Sequence, residues 1–257
     1  METIIPHLEQ IIHKSIDIYL ESKSIWKIFF LPFFILMLLS LILILFPYTS
    51  VFAGASFLRF DLYPEMDFIL LVGILLALIS AFSYCALVAM TITKNYIITG
   101  KIQFALNNFE GKLLSVVSSY VLLFILASLS TLLIVWLQAL DFGILTFFVK
   151  LSILAIWFVI FLLFWFTPQA IVVDDRSLAS AMSASSKFIA MDFKFILIFL
   201  LFAGIVMGIL DLFGSLHWTL LGVVYIINFM VVLPLLIVIQ TAVYITRYAL
   251  RGISLEQ

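Results

Sequence analysis

Six long apolar runs constrain this chain more than any other feature of its sequence. A helix needs about 20 mostly apolar residues to cross a bilayer, and each run is about that long. The runs are 28–46, 68–91, 113–137, 145–166, 193–213 and 219–240. They are continuous and do not alternate between apolar and polar residues, which is typical of helices and not of membrane-barrel strands.

The composition agrees with a protein that lives in a bilayer. Hydrophobic residues make up 66% of the 257 and charged residues 11%, whereas soluble domains have about half and about a quarter. The net charge of −1 excludes a strongly basic nucleic-acid-binding protein. Cys85 is the one cysteine, so no internal disulfide can form, and its place in an apolar run predicts a buried side chain. The sequence therefore predicts an all-α, polytopic membrane protein, and the lipid bilayer is the partner that we expect for it.

The distribution of Lys and Arg predicts how the six helices are oriented. Eleven of the 13 basic residues lie in residues 1–27, in the loop after the second run, in the segment after the fourth run and in the tail. Basic residues collect on the cytoplasmic side of a membrane. We expect a multi-pass cell-membrane protein with three antiparallel hairpins and both termini in the cytoplasm. Its parts are an N-terminal segment (1–27), a transmembrane bundle (28–246) and a short tail (247–257).

The segments expected in the cytoplasm have helical apolar faces. In the N-terminal segment that face consists of Ile4, Ile5, Leu8, Ile11, Ile12, Ile16 and Tyr19. This pattern predicts an amphipathic helix lying along the inner leaflet. Two further segments, near Ile102 and near Leu178, have the same period. Either the order "helix, then hairpin" occurs three times, or these are ordinary amphipathic loops, and the residues do not decide between the two.

Small residues recur in the segment after the fourth run. Ser177, Ala181 and Ser185 are four residues apart, and Lys187 follows them. Small side chains at this spacing let two helices approach closely. They are candidates for a surface that docks a partner protein or a second copy of the chain, and the alternative is that the helix packs tightly on its own neighbours.

The same segment carries a family resemblance. Residues 167–200 read TPQAIVVDDRSLASAMSASSKFIAMDFKFILIFL. Within them the resemblance is carried by Pro168, Asp174, Asp175, Ala181, Ser185, Lys187 and Asp192. The segment resembles six-helix proteins related to the membrane domain of glycerophosphodiester phosphodiesterases, and their stand-alone relatives. The resemblance implies a six-helix membrane fold. It implies no enzymatic activity, because these residues include no counterpart of the soluble phosphodiesterase domain.

A few polar or helix-breaking residues inside the runs are candidates for a transport path. Asn228 and Pro234 lie in the sixth run, and Ser80 and Tyr84 lie in the second. A proline within a helix kinks it, and polar groups inside a membrane often mark a solute path. The alternative for Asn228 and Pro234 is a role in helix packing.

No catalytic signature accompanies these features. The sequence has no Gly-x-Ser-x-Gly, no His-Glu-x-x-His and no glycine-rich phosphate loop, so we expect no enzyme, cofactor or metal. The leading hypothesis is a scaffold or accessory subunit that docks other membrane proteins or organises lipid. The alternative is a carrier or channel for a small or lipidic solute.

Overall fold

The structure, a computed structural model, describes residues 4–45, 64–103, 109–139, 144–216, 223–224 and 226–249. Every regular element in these ranges is helical, which confirms the all-α prediction. The α-helices include α1 (Ile4–Glu21), α2 (Lys23–Leu45), α3 (Pro64–Thr99), α4 (Phe109–Ala139), α5 (Ile144–Phe164), α6 (Thr167–Val173), α7 (Leu178–Leu216) and α8 (Leu233–Tyr244). Short π-helical turns, Asn228–Val232 and Ile245–Ala249, precede and follow α8.

Five helical stretches in the described residues are long and apolar enough to cross a membrane. They are Val72–Thr99, Phe109–Leu129, Phe147–Val173, Leu178–Leu210 and Asn228–Tyr248. They correspond to the second to sixth predicted runs and confirm that this is a chain of several membrane-span-capable helices. The first predicted run falls on α2, except Phe46, which lies outside the described residues. Residues 219–222 and 225 of the sixth run and 250–257 of the predicted tail also lie outside them.

Helix packing agrees only in part with three sequential hairpins. Within the described residues, α2 packs against α3 and α4 packs against α5, as two predicted hairpins require. In contrast, α7 packs mainly against α5 and α6, and α8 packs mainly against α3 and α1. The third predicted pair, α7 with α8, is therefore not the main contact of either helix.

The packed core surrounds α8. Of the most apolar window in Asn228–Tyr248, 61% is buried, compared with 6% of the window in Phe147–Val173. Every residue of α6 is buried, and so is every residue of α3 from Cys85 to Thr93. The prediction that Cys85 is buried is confirmed, and its Sγ lies 3.3 Å from the Ile28 carbonyl oxygen. We call this end of the bundle the packed half.

Helix α1 is amphipathic as predicted, but its apolar face packs on the protein. Ile18 and Tyr19 are buried, Ile11 and Ile12 pack against the core, and the helix lies against α8. The expectation that this face lies along the inner leaflet is corrected accordingly. The physical reason is that α8 is apolar over most of its surface, so neighbouring helices cover it.

The rest of the bundle, which we call the apolar half, has large apolar side chains on its surface. Phe147 and Phe148 on α5 are 63% and 60% exposed, and Leu201 and Ile205 on α7 are 59% and 61% exposed. Helix α7 enters this half through a kink at Asp192, where φ is −122° and ψ is 32°. An apolar surface of this kind suits contact with lipid.

Candidate functional site

A cavity of 950 Å³ lies between the helices, next to the packed core. Most of its wall consists of large apolar side chains on α3, α4, α5, α7 and α8, such as Phe82, Leu123, Phe161, Leu200 and Leu236. Its volume lies near the top of the range of about 300–1,000 Å³ that ligand pockets occupy. We call this cavity the chamber.

The chamber is not sealed from the surroundings of the bundle. Its lining includes Phe124 on α4, Phe158 on α5 and Leu201 on α7, and these side chains are 39%, 47% and 59% exposed. They belong to the apolar half, where the outer surface of the bundle is also apolar. A molecule that reaches the chamber from this side therefore meets apolar side chains throughout.

One end of the chamber carries polar side chains, which we call the polar floor: Trp165, Gln169, Gln240 and Tyr120. Gln169 on α6 is 1% exposed, and its Nε2 donates a hydrogen bond of 3.1 Å to Oε1 of Gln240 on α8. Oε1 of Gln169 and Nε1 of Trp165 are buried and have no hydrogen-bond partner among the described residues. Buried polar groups are nearly always paired, so these two atoms require an explanation.

The local sequence explains why Gln169 lies in the interior. Pro168 occupies the first turn of α6, where its missing N–H costs nothing. Phe166, the residue immediately before α6, donates its backbone N–H to Oγ of Ser185 at 3.1 Å, which fixes the start of α6 against α7. Helix α6 thus packs between α3, α4, α7 and α8, and Gln169 and Pro168 both line the chamber.

The charged end of the packed half lies just beyond α6. Asp175 has a φ of 55°, a conformation that Asp tolerates better than most residues. Its carboxylate forms an ion pair with Lys112 at the start of α4 and lies 3.5 Å from Nζ of Lys94 on α3. Lys94 also donates a hydrogen bond of 3.1 Å to the carbonyl oxygen of Val172 in α6. One carboxylate therefore joins α3 and α4 to the segment between α6 and α7.

Asp174 makes a second set of contacts at the charged end. Its Oδ2 accepts a hydrogen bond of 2.7 Å from the Tyr244 hydroxyl at the end of α8 and one of 3.1 Å from Arg176 Nε. The two adjacent acids therefore attach three helices to the α6–α7 segment. The hydrogen bonds and ion pairs of Asp174 and Asp175 therefore explain both carboxylates as links between helices.

The predicted path residues do not line the chamber. Asn228, in the π-helical turn before α8, and Pro234, at the start of α8, are buried. Their neighbours Phe229 and Leu233 line the chamber instead. Ser80 and Tyr84 are exposed on α3. The transport role of Asn228, Pro234, Ser80 and Tyr84 stays a prediction.

The four predicted docking residues are divided between interior and surface. Ala181 and Ser185 are fully buried, and the hydrogen bond that Ser185 accepts from Phe166 belongs to the α6–α7 contact. Ser177 and Lys187 are exposed. For Ala181 and Ser185, tight packing on neighbouring helices accounts for the small side chains. A docking role for the exposed pair stays a prediction.

Sequence reasoning missed the polar floor. Gln169 and Gln240 were not singled out, although each is an isolated amide in an apolar stretch. An amide in such a stretch is a signal of function or of helix contact. The sequence does not show that two amides 71 residues apart meet at one cavity.

No family model, curated protein or solved structure matches this chain. The resemblance of residues 167–200 to the membrane domain of glycerophosphodiester phosphodiesterases therefore stays a prediction.

Proposed function

We propose that this chain is a non-enzymatic membrane protein that takes a lipidic solute from the bilayer into the chamber. The observation that carries the proposal is the chamber itself, 950 Å³ of mostly apolar space with a polar floor at one end. An apolar cavity with a few placed polar groups is the usual form of a site for a small molecule. The proposal joins the carrier alternative to the lipid-organising part of the leading hypothesis.

The energetics of the bilayer determine what such a chamber can select. A hydrocarbon tail gains little free energy by leaving lipid for an apolar cavity, because both surroundings are apolar. Binding therefore depends on the fit of the tail to the walls and on hydrogen bonds at the polar floor. The chamber therefore favours a lipid with a polar group over a pure hydrocarbon.

The topology that we propose has six spans, with α2 as the first and both termini in the cytoplasm. It is supported by Lys94, Lys112 and Arg176, which gather at the charged end of the packed half. It places the packed half on the cytoplasmic side and the apolar half in the bilayer. The chamber then opens to lipid, from which its solute would come.

Two glycines on α7 provide a matched test of lipid uptake. Gly204 lines the chamber, whereas Gly208, one turn later, is not among the lining residues. A Cβ at either position meets no atom within 4 Å, so both sites have room for a side chain. We expect Gly204→Trp to reduce the lipid retained after gentle extraction, measured by native mass spectrometry, and Gly208→Trp to leave it unchanged. Equal retention by Gly204→Trp, Gly208→Trp and the unsubstituted chain would refute the proposal.

A role for this chain as a scaffold that docks partner proteins stays a prediction. Burial of Ala181 and Ser185 removes half of the predicted docking surface from reach of a partner. The same extraction addresses this function, because a protein partner present in a fixed ratio would favour docking.

A further inference from the structure

We propose that the polar floor recognises the uncharged hydroxyl head group of a long-chain lipid. This inference rests on the proposed function and adds the class of solute. Its starting point is Gln169, which is 1% exposed, lines the chamber and has a buried Oε1 without a partner among the described residues.

The hydrogen-bonding capacity of the floor is only partly used. Two glutamine amides carry four N–H donors and two oxygen acceptors, and the Gln169–Gln240 hydrogen bond uses one of each. Nε1 of Trp165 adds a donor that is also buried and without a partner among the described residues. The floor therefore offers both an acceptor and donors to a head group.

A hydroxyl is the simplest group that matches this arrangement. It donates one hydrogen bond and accepts up to two. It can therefore donate to the Gln169 oxygen and at the same time accept from an N–H of Trp165 or Gln240. An ester or ketone oxygen only accepts, and it would leave the Gln169 oxygen unsatisfied. A hydrocarbon would leave all of these groups unsatisfied, which is costly away from water.

The surroundings of the floor disfavour a charged head group. None of the chamber-lining residues that the structure describes is charged. At the charged end, Asp174 accepts hydrogen bonds from Tyr244 and Arg176, and Lys94 contacts Asp175 and the Val172 carbonyl, so these groups are already paired. A carboxylate or phosphate at the floor would be buried without a counter-charge, and the cost of that is large.

The test compares three probes of equal chain length and different head group. The full chain, purified in mild detergent, is equilibrated with oleyl alcohol, oleate or octadecene, and the retained probe is quantified by mass spectrometry after gel filtration. We expect the chain to retain oleyl alcohol about tenfold more than either other probe, as one to two net hydrogen bonds provide.

Substitutions in the polar floor test whether its side chains cause the preference for oleyl alcohol. Gln169→Leu and Trp165→Phe should each reduce the preference for oleyl alcohol over octadecene to about twofold, with octadecene retention unchanged. Gln10→Leu, on the exposed surface of α1, is the matched control and should keep the full preference. Thermal unfolding identifies any variant that fails to fold, and Gln240→Leu then replaces it.

The outcomes separate this inference from the proposed function. Equal retention of all three probes by the unsubstituted chain would overturn the head-group inference and leave lipid uptake standing. Retention of none would overturn both. Preference for oleate would also overturn the inference, because it would require a cation at the floor. A preference for oleyl alcohol that survives every floor variant would show that the floor does not supply it.

Discussion

Single polar atoms in this bundle find partners far away in the sequence. Pro234 has no N–H, so the helical hydrogen bond to the Met230 carbonyl, four residues earlier, cannot form. The Tyr19 hydroxyl on α1 donates to that carbonyl at 2.6 Å. Burial raises the pKa of Tyr19, so the hydroxyl keeps its proton at neutral pH. A side chain from the N-terminal helix thus satisfies a backbone group that the proline leaves unpaired.

We expect Tyr19→Phe to lower the free energy of unfolding by about 1–2 kcal/mol, because it leaves the partly buried Met230 carbonyl unsatisfied. In a Pro234→Ala background the same change should cost less, because the introduced alanine would supply the missing N–H. The measurement is reversible unfolding of the four chains in detergent. Tyr84→Phe, at a 37% exposed tyrosine on α3, is the control. Equal costs in the two backgrounds would contradict this account.

Asp175 supports a second prediction at the residue scale. The side chains of Lys94 and Lys112 are only 19% and 15% exposed, and both face its carboxylate. We expect Asp175→Asn to lower the free energy of unfolding by about 1–2 kcal/mol, because two partly buried cations lose their shared counter-charge. Asn also tolerates the positive φ, so the loss reports charge and not backbone strain.

The salt dependence of unfolding checks the electrostatic origin of this effect. The difference between Asp175→Asn and the unsubstituted chain should shrink as salt is added, because ions screen half-exposed pairs. Glu110→Gln, at an exposed position on α4, should change stability by less than about 0.5 kcal/mol. A loss that is unchanged by salt would point to packing instead.

At the scale of elements, periodicity predicts a helical face but not what covers it. The apolar face of α1 could be read from Ile11, Ile12 and Tyr19, yet the sequence does not distinguish lipid from another helix as its cover. Helix α8 accounts for the cover, because it is apolar over most of its surface and α1 packs against part of it. The small residues of α7 are a similar case. Their spacing predicts a close contact, but it does not identify the helix or protein on the other side of that contact.

Ala181 and Ala179 on α7 test which contact the small residues serve. Ala181 is fully buried in the packed half, whereas Ala179 is exposed two residues earlier. We expect Ala181→Leu to lower the free energy of unfolding by about 1–3 kcal/mol through overpacking, and Ala179→Leu to change it by less than about 0.5 kcal/mol. Chemical unfolding in detergent measures both. A neutral Ala181→Leu would show that this position faces open space.

At the scale of the whole molecule, the sequence predicted the class of fold better than its arrangement. Hydropathy located the runs on α3, α4, α5, α7 and α8, because each helix must be apolar along its own length. The chamber could not be predicted, since it depends on how several helices pack against one another. Gln169 and Gln240 meet only because α6 packs against α8 in the folded bundle.

The division into a packed half and an apolar half predicts that the packed half unfolds as one cooperative unit. Cys85 is 1% exposed where α2 meets α3, so a maleimide can reach it only after the packed half unfolds. We expect Cys85 to react about a hundredfold or more slowly than a cysteine placed at exposed Ser183 on α7, before the kink at Asp192, in a Cys85→Ala, Ser183→Cys chain. Denaturant should accelerate the labelling of Cys85 in parallel with the loss of the helical circular dichroism signal. The reason is that α1, α3 and α6 all pack against α8 in one core. Rapid labelling of the folded chain would instead mean that α2 separates from α3 while the rest stays intact, and the packed half would not be one cooperative unit.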